Sequence, residues 1–189
     1  MQQNPTPQDT GQTCDASTQP NDNKMTILLA SDDFDRVFLA FMLAMSARSM
    51  GMEVNIFFAL WGINLLKRQG DQPSMDPPSE VDEGKKSMME KMMGMMMPKG
   101  PDSLGLSKMN FGGMGALMMK MFMKNNNIAT LPELMDMAVE SEVEFTICSM
   151  TMEIMGVKSD ELLALPNAKY GGVASCMGSA LQSKMFLVI

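Results

Sequence analysis

The chain has 189 residues, a formal net charge of −7, 27 methionines, three cysteines and no histidine. Its length and 46% hydrophobic content suit one domain with irregular segments. Without histidine, Ser or Cys triads and histidine-containing zinc sites are excluded, and three scattered cysteines have neither zinc-ligand spacing nor the look of a disulfide framework.

Residues 1–24 are rich in Gln, Asn, Pro, Thr and Asp and are expected to be disordered. They have neither the basic start nor the apolar centre of a secretory signal. "MTILLA" (25–30) reads as a buried strand, and "SDD" after it offers Ser31 or Asp32 as a helix cap. A helix is expected over about 33–50, with Phe34, Val37, Phe38, Phe41 and Met45 on one face and Gly51 ending it. "EVNIFFAL" (53–60) is a second strand, and "WGINLLKR" starts a short helix. Strand–helix–strand over this length allows parallel pairing.

A polar linker leads into the Met/Lys-rich segment 84–124, where two methionine runs are expected to include helix broken by Gly94, Pro98 and the Gly112–Gly115 cluster. "TLPELMDMAVES" (130–141) opens with Thr130 and Glu133 at capping-box spacing and Pro132 in the first turn. "VEFTIC" (143–148) is a third strand. A helical turn, a helix over about 159–164, "AKYGG", a helix over about 173–182 and a final strand "KMFLVI" follow. The expected fold is α/β: an open, mainly parallel sheet of four to five strands flanked by helices on both faces, with a Met-rich helical insertion in one domain over 25–189.

The charge is unevenly spread. Seven lysines against Glu90 and Asp102 give 84–124 a net of +5, leaving −12 on the rest. That segment lacks Arg, and its only aromatics are Phe111 and Phe122, so no nucleic-acid partner is expected. An acidic partner surface or an anionic small molecule suits it better. No apolar run reaches the roughly 20 residues of a transmembrane helix.

In an open parallel sheet, ligands bind beyond the carboxyl ends of the strands, where "SDDFD", "LWGIN" and "CSMTM" converge. Cys148 ends its strand before a helical turn, and a helix N-terminus favours a thiolate without help from histidine. The alternative is a small core residue. Cys14 reads as incidental to the tail. Cys176 reads as a packed helix residue, with a resolving thiol facing Cys148 as the other possibility. Asp32, Asp33 and Asp35 read as a helix start before acid–base groups, and Gly171–Gly172 matches a phosphate turn only loosely. The methionines, with Met88, Met92, Met95 and Met96 at helical spacing, suit core or subunit-interface packing. They also suit an adaptable contact with a partner protein or membrane surface, or soft Cu(I) ligation.

"FFALWGINLLKR" (57–68), "MMEKMMGMMMPKG" (88–100), "LSKMNFGGMGALMMKMFMKNNNIATLPEL" (106–134), "CSMTMEIMG" (148–156) and "GGVASC" (171–176) together resemble the DsrE/DsrF/DsrH-like superfamily, in its DsrE-related "peroxiredoxin-like" branch. The resemblance covers 25–189, and Leu60 stands where it leads one to expect an aromatic. It implies a parallel α/β domain in intracellular, cytoplasmic sulfur trafficking, with Cys148 accepting sulfane sulfur as a persulfide and passing it to another thiol protein. Cys14 and Cys176 match no motif cysteine of that branch. A sulfur-carrier or rhodanese-type partner, homo-oligomerisation and no cofactor follow. Around Cys148, Trp61, Met150 and Met152 are expected to line an apolar cleft in which Gly62 lies. Ser31, Asn64, Ser149 and Thr151 are expected as hydrogen-bond donors. The rival reading is a non-catalytic oligomerisation or docking module built on the Met-rich segment, with copper handling by Met92, Met95, Met96 and Met97 a third.

Overall fold

The structure, a computed structural model, describes residues 21–69, 72, 73, 75, 99–108 and 114–189. Strands β1 (Asn21–Leu29), β2 (Glu53–Phe58), β3 (Glu144–Cys148), β4 (Ala168–Gly171) and β5 (Ser183–Val188) form one sheet in the order β4-β3-β2-β1-β5. All four pairings are parallel. The described helices are α1 (Phe34–Ser49), α2 (Met114–Asn125), α3 (Leu131–Glu140), α4 (Ser149–Met155) and α5 (Val173–Leu181). The α/β class and parallel sheet read from the sequence are present, at the upper strand count.

Alternation along the strands makes the two faces unequal. Met25, Ile27, Leu29, Val54, Ile56, Phe58, Phe145 and Ile147 point to one face and are buried. Helices α1 and α3 close it, α1 through Val37, Ala40, Phe41 and Ala44, and α3 through Leu131, Leu134, Met135 and Ala138. The Phe145 ring lies 6.4 Å from Phe41 and 5.9 Å from Phe58, centroid to centroid, within the range of favourable aromatic pairs.

The second face carries a polar layer. Thr146 donates to the Asn55 side-chain oxygen at 3.0 Å. The Ser183 hydroxyl donates to the Ser179 carbonyl at 2.7 Å, which leaves the Thr26 hydroxyl to donate to Ser183 at 2.8 Å. Thr26, Asn55 and Thr146 are buried, and these bonds remove most of the cost of burying polar groups.

Helix α5 covers this face by topological necessity, because it joins β4 and β5, the two edges of the sheet. Four strand spacings come to about 19 Å. A nine-residue helix reaches about 14 Å. With only Gly172 before it and Gln182 after it, α5 has to run across the central strands as a strap.

Several expected boundaries moved. β1 starts at Asn21, so residues 21–24 belong to the sheet and not to a disordered tail; main-chain pairing of Asn21 with Ser183 of β5 and of Lys24 with Glu53 of β2 recruits this polar stretch. Asp33 is the N-cap residue of α1, in place of Ser31 or Asp32. "WGINLLKR" forms a 3-10 turn over Leu60–Leu66. The helix expected over 159–164 shrinks to a 3-10 turn, Ser159–Glu161. Beyond it, Arg68 N–H bonds to Glu161 O and Leu163 N–H to Leu66 O, so pairing with the segment after the 60–66 turn wins over helix. The capping box is present, with Thr130 N–H donating to Glu133 Oε2 at 2.7 Å. Of the Met-rich insertion, α2 and the 99–108 segment are described, whereas the first methionine run and Cys14 lie outside the described residues.

Candidate functional site

Cys148 is the last residue of β3 and the N-cap residue of α4, with no side-chain capping bond. It points to the α5 face, where Phe57, Cys148 and Cys176 form a small buried cluster with Leu28 and Ala59 packed against it. Cys148 is 2% exposed and Cys176 5%. Both are free thiols.

The backbone dictates the meeting of the two cysteines. Gly171 stands opposite Cys148 in the β3–β4 register. One residue on, the Gly172 carbonyl accepts the Cys176 N–H at 3.2 Å. A Cβ at Gly171 would lie 2.6 Å from Ser175 Oγ and 2.7 Å from Thr146 Cγ2, so glycine lets the first turn of α5 settle onto β3. Burial, and then the neighbouring Cys148, push the Cys176 thiol above its ordinary pKa.

The loop after β2 forms the adjoining wall. Leu60 has φ +47°, an uncommon conformation for a branched side chain. Its N–H donates to Thr151 Oγ1 at 3.1 Å, which fastens the loop to α4. Next to it Trp61 is 52% exposed, and Met150 of α4 is 55% exposed. Ala59, Trp61, Ser149, Met150 and Thr151 therefore belong to the loop and helix at the carboxyl end of β2 and β3.

Ser31, Gly62 and Asn64 lie toward the end of β1. The Ser31 hydroxyl donates to Asp33 Oδ2 at 2.9 Å and accepts the Asp33 N–H at 3.1 Å. A Cβ at Gly62 would collide with the Leu29 carbonyl oxygen, so this glycine permits the 60–66 turn to touch β1. Asn64 is fully buried, its Nδ2 donates to Asp32 Oδ2 at 2.8 Å, and its carbonyl accepts the Gly100 N–H at 3.0 Å. Among the described residues its Oδ1 has no hydrogen-bond partner. Asn64 thus joins β1, the turn and the 99–108 segment. Met152 turns to the large core on the other face.

Asp35 anchors the 99–108 segment to α1. It accepts the Ser107 N–H at 3.0 Å and the Ser107 hydroxyl at 2.6 Å. Partial burial pushes its carboxyl up, but the Ser107 bonds outweigh this and hold it below the usual carboxylate range. A charged groove lined by Lys24, Arg48, Glu53, Glu142 and Glu144 opens at the amino ends of the strands, the end opposite Cys148.

Sequence reasoning weighed Cys176 but did not bring Phe57, Gly171 or Ala59 to the site. The available signal was the Gly171–Gly172 pair, which marks close backbone approach. Chemically, the cluster offers two thiols beside the apolar side chains of Phe57, Leu28 and Ala59. Exchange between sulfur atoms suits such a setting, because it requires a thiolate and no separate acid or base.

The sequence model of the DsrE/DsrF/DrsH-like family matches residues 21–188. Protein YrkE of Bacillus subtilis (strain 168) is 40% identical over 166 residues, covering 88% of this chain and 96% of YrkE. The sulfur carrier protein DsrE2 of Allochromatium vinosum is 31% identical over 170 residues, covering 88% of this chain and 98% of DsrE2. The crystal structure of the YchN protein from E. coli is similar with a TM-score of 0.48 at 10% identity, over 88% of this chain and 99% of that one. On its sequence match over nearly the whole described chain, the protein belongs to the DsrE/DsrF/DrsH-like family.

Proposed function

We propose that the protein is a sulfurtransferase-like sulfur carrier that takes up sulfane sulfur as a persulfide on Cys148 and hands it to a thiol of a partner protein. The observation that carries this reading is Cys148 itself, a free thiol ending β3 at the carboxyl edge of the sheet, in a chain related to a sulfur carrier. In uptake the Cys148 thiolate attacks the donor's outer sulfur, the new Cys148 Sγ–S bond forming as the donor's own S–S bond breaks and the donor leaves as a thiolate. In delivery the acceptor thiolate attacks that outer sulfur and Cys148 leaves as a thiolate. Phe57 and α5 keep the persulfide dry and away from small thiols. Trp61 and Met150, both half-exposed, form the surface a partner meets, and Ser149 and Thr151 supply polar groups beside it. The partner is a sulfur-carrier or rhodanese-type protein, and the exchange takes place in the cytoplasm, where thiols stay reduced.

Because Cys148 is covered, delivery requires α5 to lift. The displacement is inexpensive, since Cys176 is the buried residue of α5 and Val173, Met177 and Leu181 already face solvent.

A docking or assembly role accompanies this reading, and α2 favours it. Met114, Leu117, Met118, Met121 and Phe122 are more than half exposed on one short helix. Apolar surface of that kind marks an interface, and we assign it to homo-oligomer contacts. No helix among the described residues is long and apolar enough to cross a membrane. The test of the carrier reading is transfer. Protein loaded with labelled polysulfide sulfur should pass label to a rhodanese-type thiol protein, and Cys148→Ser should pass none. Equal transfer by Cys148→Ser would refute the assignment.

A further inference from the structure

Helix α5 buries one side chain, and that side chain is a thiol in the same small buried cluster as the thiol that ends β3. Hydrophobicity does not explain the choice, because α5 leaves Val173, Met177 and Leu181 exposed while turning Cys176 inward. The approach is built into the backbone on both sides: Gly171 faces Cys148 in register, and the Cys176 amide is tied to Gly172. Phe57 closes the cluster, with Leu28 and Ala59 beside it. Two adjacent thiols in such a setting share one chemistry, sulfur–sulfur exchange.

We propose that Cys176 is the resolving thiol of Cys148: it discharges an unclaimed persulfide, releasing the sulfane sulfur as sulfide and leaving a Cys148–Cys176 disulfide. This rests on the carrier reading above. The Cys176 sulfur gives up its proton and attacks Cys148 Sγ. The bond that forms joins the two Sγ atoms, and the bond that breaks joins Cys148 Sγ to the outer sulfur. That sulfur leaves with the bonding electron pair and a proton as hydrosulfide. The two cysteines are oxidised to a disulfide, the sulfane sulfur is reduced to sulfide, and no further reactant is consumed. An external dithiol then restores the reduced pair. Burial and the neighbouring sulfur raise the Cys176 thiol above its ordinary value, which disfavours the attacking thiolate while α5 is seated. An acceptor that lifts α5 removes Cys176 from Cys148 and takes the sulfur first. The pair thereby separates delivery, when a partner is present, from disposal, when none arrives.

The experiment loads the reduced full-length protein, Cys176→Ser and Cys176→Ala with inorganic polysulfide, removes the excess, and follows mass, peptide map and free sulfide. Melting curves of the unloaded variants confirm folding. In the wild type the Cys148 persulfide should decay to the Cys148–Cys176 disulfide with one sulfide released per disulfide formed. Both variants should keep their persulfide about tenfold longer or more. A wild-type persulfide as long-lived as theirs, or sulfur found on Cys176 without sulfide release, would overturn the resolving role and leave the carrier reading intact. Failure of every form to load at Cys148 would overturn the carrier reading. Diamide oxidation of the same reduced proteins then decides the pairing by itself. A Cys148–Cys176 disulfide supports it, and bonds confined to Cys14 or formed between chains overturn it.

Discussion

Gly171 stands directly opposite Cys148 in the parallel register of β3 and β4, and its missing Cβ is what lets Ser175 of α5 come down beside Thr146. The strand that borders the candidate sulfur acceptor therefore also sets the height of the helix above it. Gly171→Ala should push α5 outward, because the added carbon would meet Ser175 Oγ at 2.6 Å and Thr146 Cγ2 at 2.7 Å. Overpacking of this kind costs about 1–3 kcal/mol. We expect a lower melting temperature and faster alkylation of Cys148 in the folded protein. Unchanged alkylation would show that α5 does not govern access.

The turn after β2 depends on one side chain of α4. Thr151 is buried, and its hydroxyl accepts the N–H of Leu60, a residue held at φ +47°. Thr151→Val keeps the shape and leaves that N–H without its partner, at a cost of about 1–3 kcal/mol. The chain has a single tryptophan, Trp61, next to the strained residue. Its fluorescence should shift and the Leu60 amide should exchange faster. A spectrum and exchange rate identical to the wild type would mean that the Thr151 bond does not hold the loop.

Ionisation of Cys176 carries a stability signature. Its thiol is raised above the ordinary value of 9.0, first by desolvation and then by Cys148. The folded state thus holds this proton more tightly than the unfolded state. That contribution is fully present below the unfolded-state value and is lost as pH rises through the folded-state value. Urea melts at rising alkaline pH should show the wild type losing stability faster than Cys176→Ala, and the Cys176 alkylation midpoint should lie above that of a free thiol. Parallel pH profiles for the two proteins would contradict this environment.

On α2, Leu117 and Met121 are one turn apart and both about three-fifths exposed, at 61% and 60%. On the homo-oligomer reading proposed for this face, replacing both with glutamate should leave the fold intact and yield monomers by light scattering after gel filtration. Retention of the wild-type mass would place the subunit contact elsewhere.

Much of this architecture was legible in the residues. The runs "VNIFF" and "VEFTIC" are short and rich in β-branched and aromatic residues, as strands are, and Thr130 with Glu133 marked the start of α3 to the residue. Cys148 was placed at the end of its strand because the apolar run stops there. Less legible was whatever depends on pairing at a distance. The polar residues 21–24 enter the sheet because β5 pairs with Asn21 and β2 with Lys24, and 162–163 turn extended because residues 66–68 are there to pair. The Cys148–Cys176 contact is of the same kind. Periodicity puts Cys176 on a helix, but only the edge-to-edge course of α5 brings that helix over β3.

The most direct test of the central claim is intact-mass spectrometry with peptide mapping of the reduced protein immediately after brief exposure to polysulfide. The account predicts a gain of one sulfur atom on Cys148, reversed by dithiothreitol, and absent from Cys148→Ser. A folded, fully reduced protein that takes up no sulfur, or takes it up only on Cys14, would contradict it.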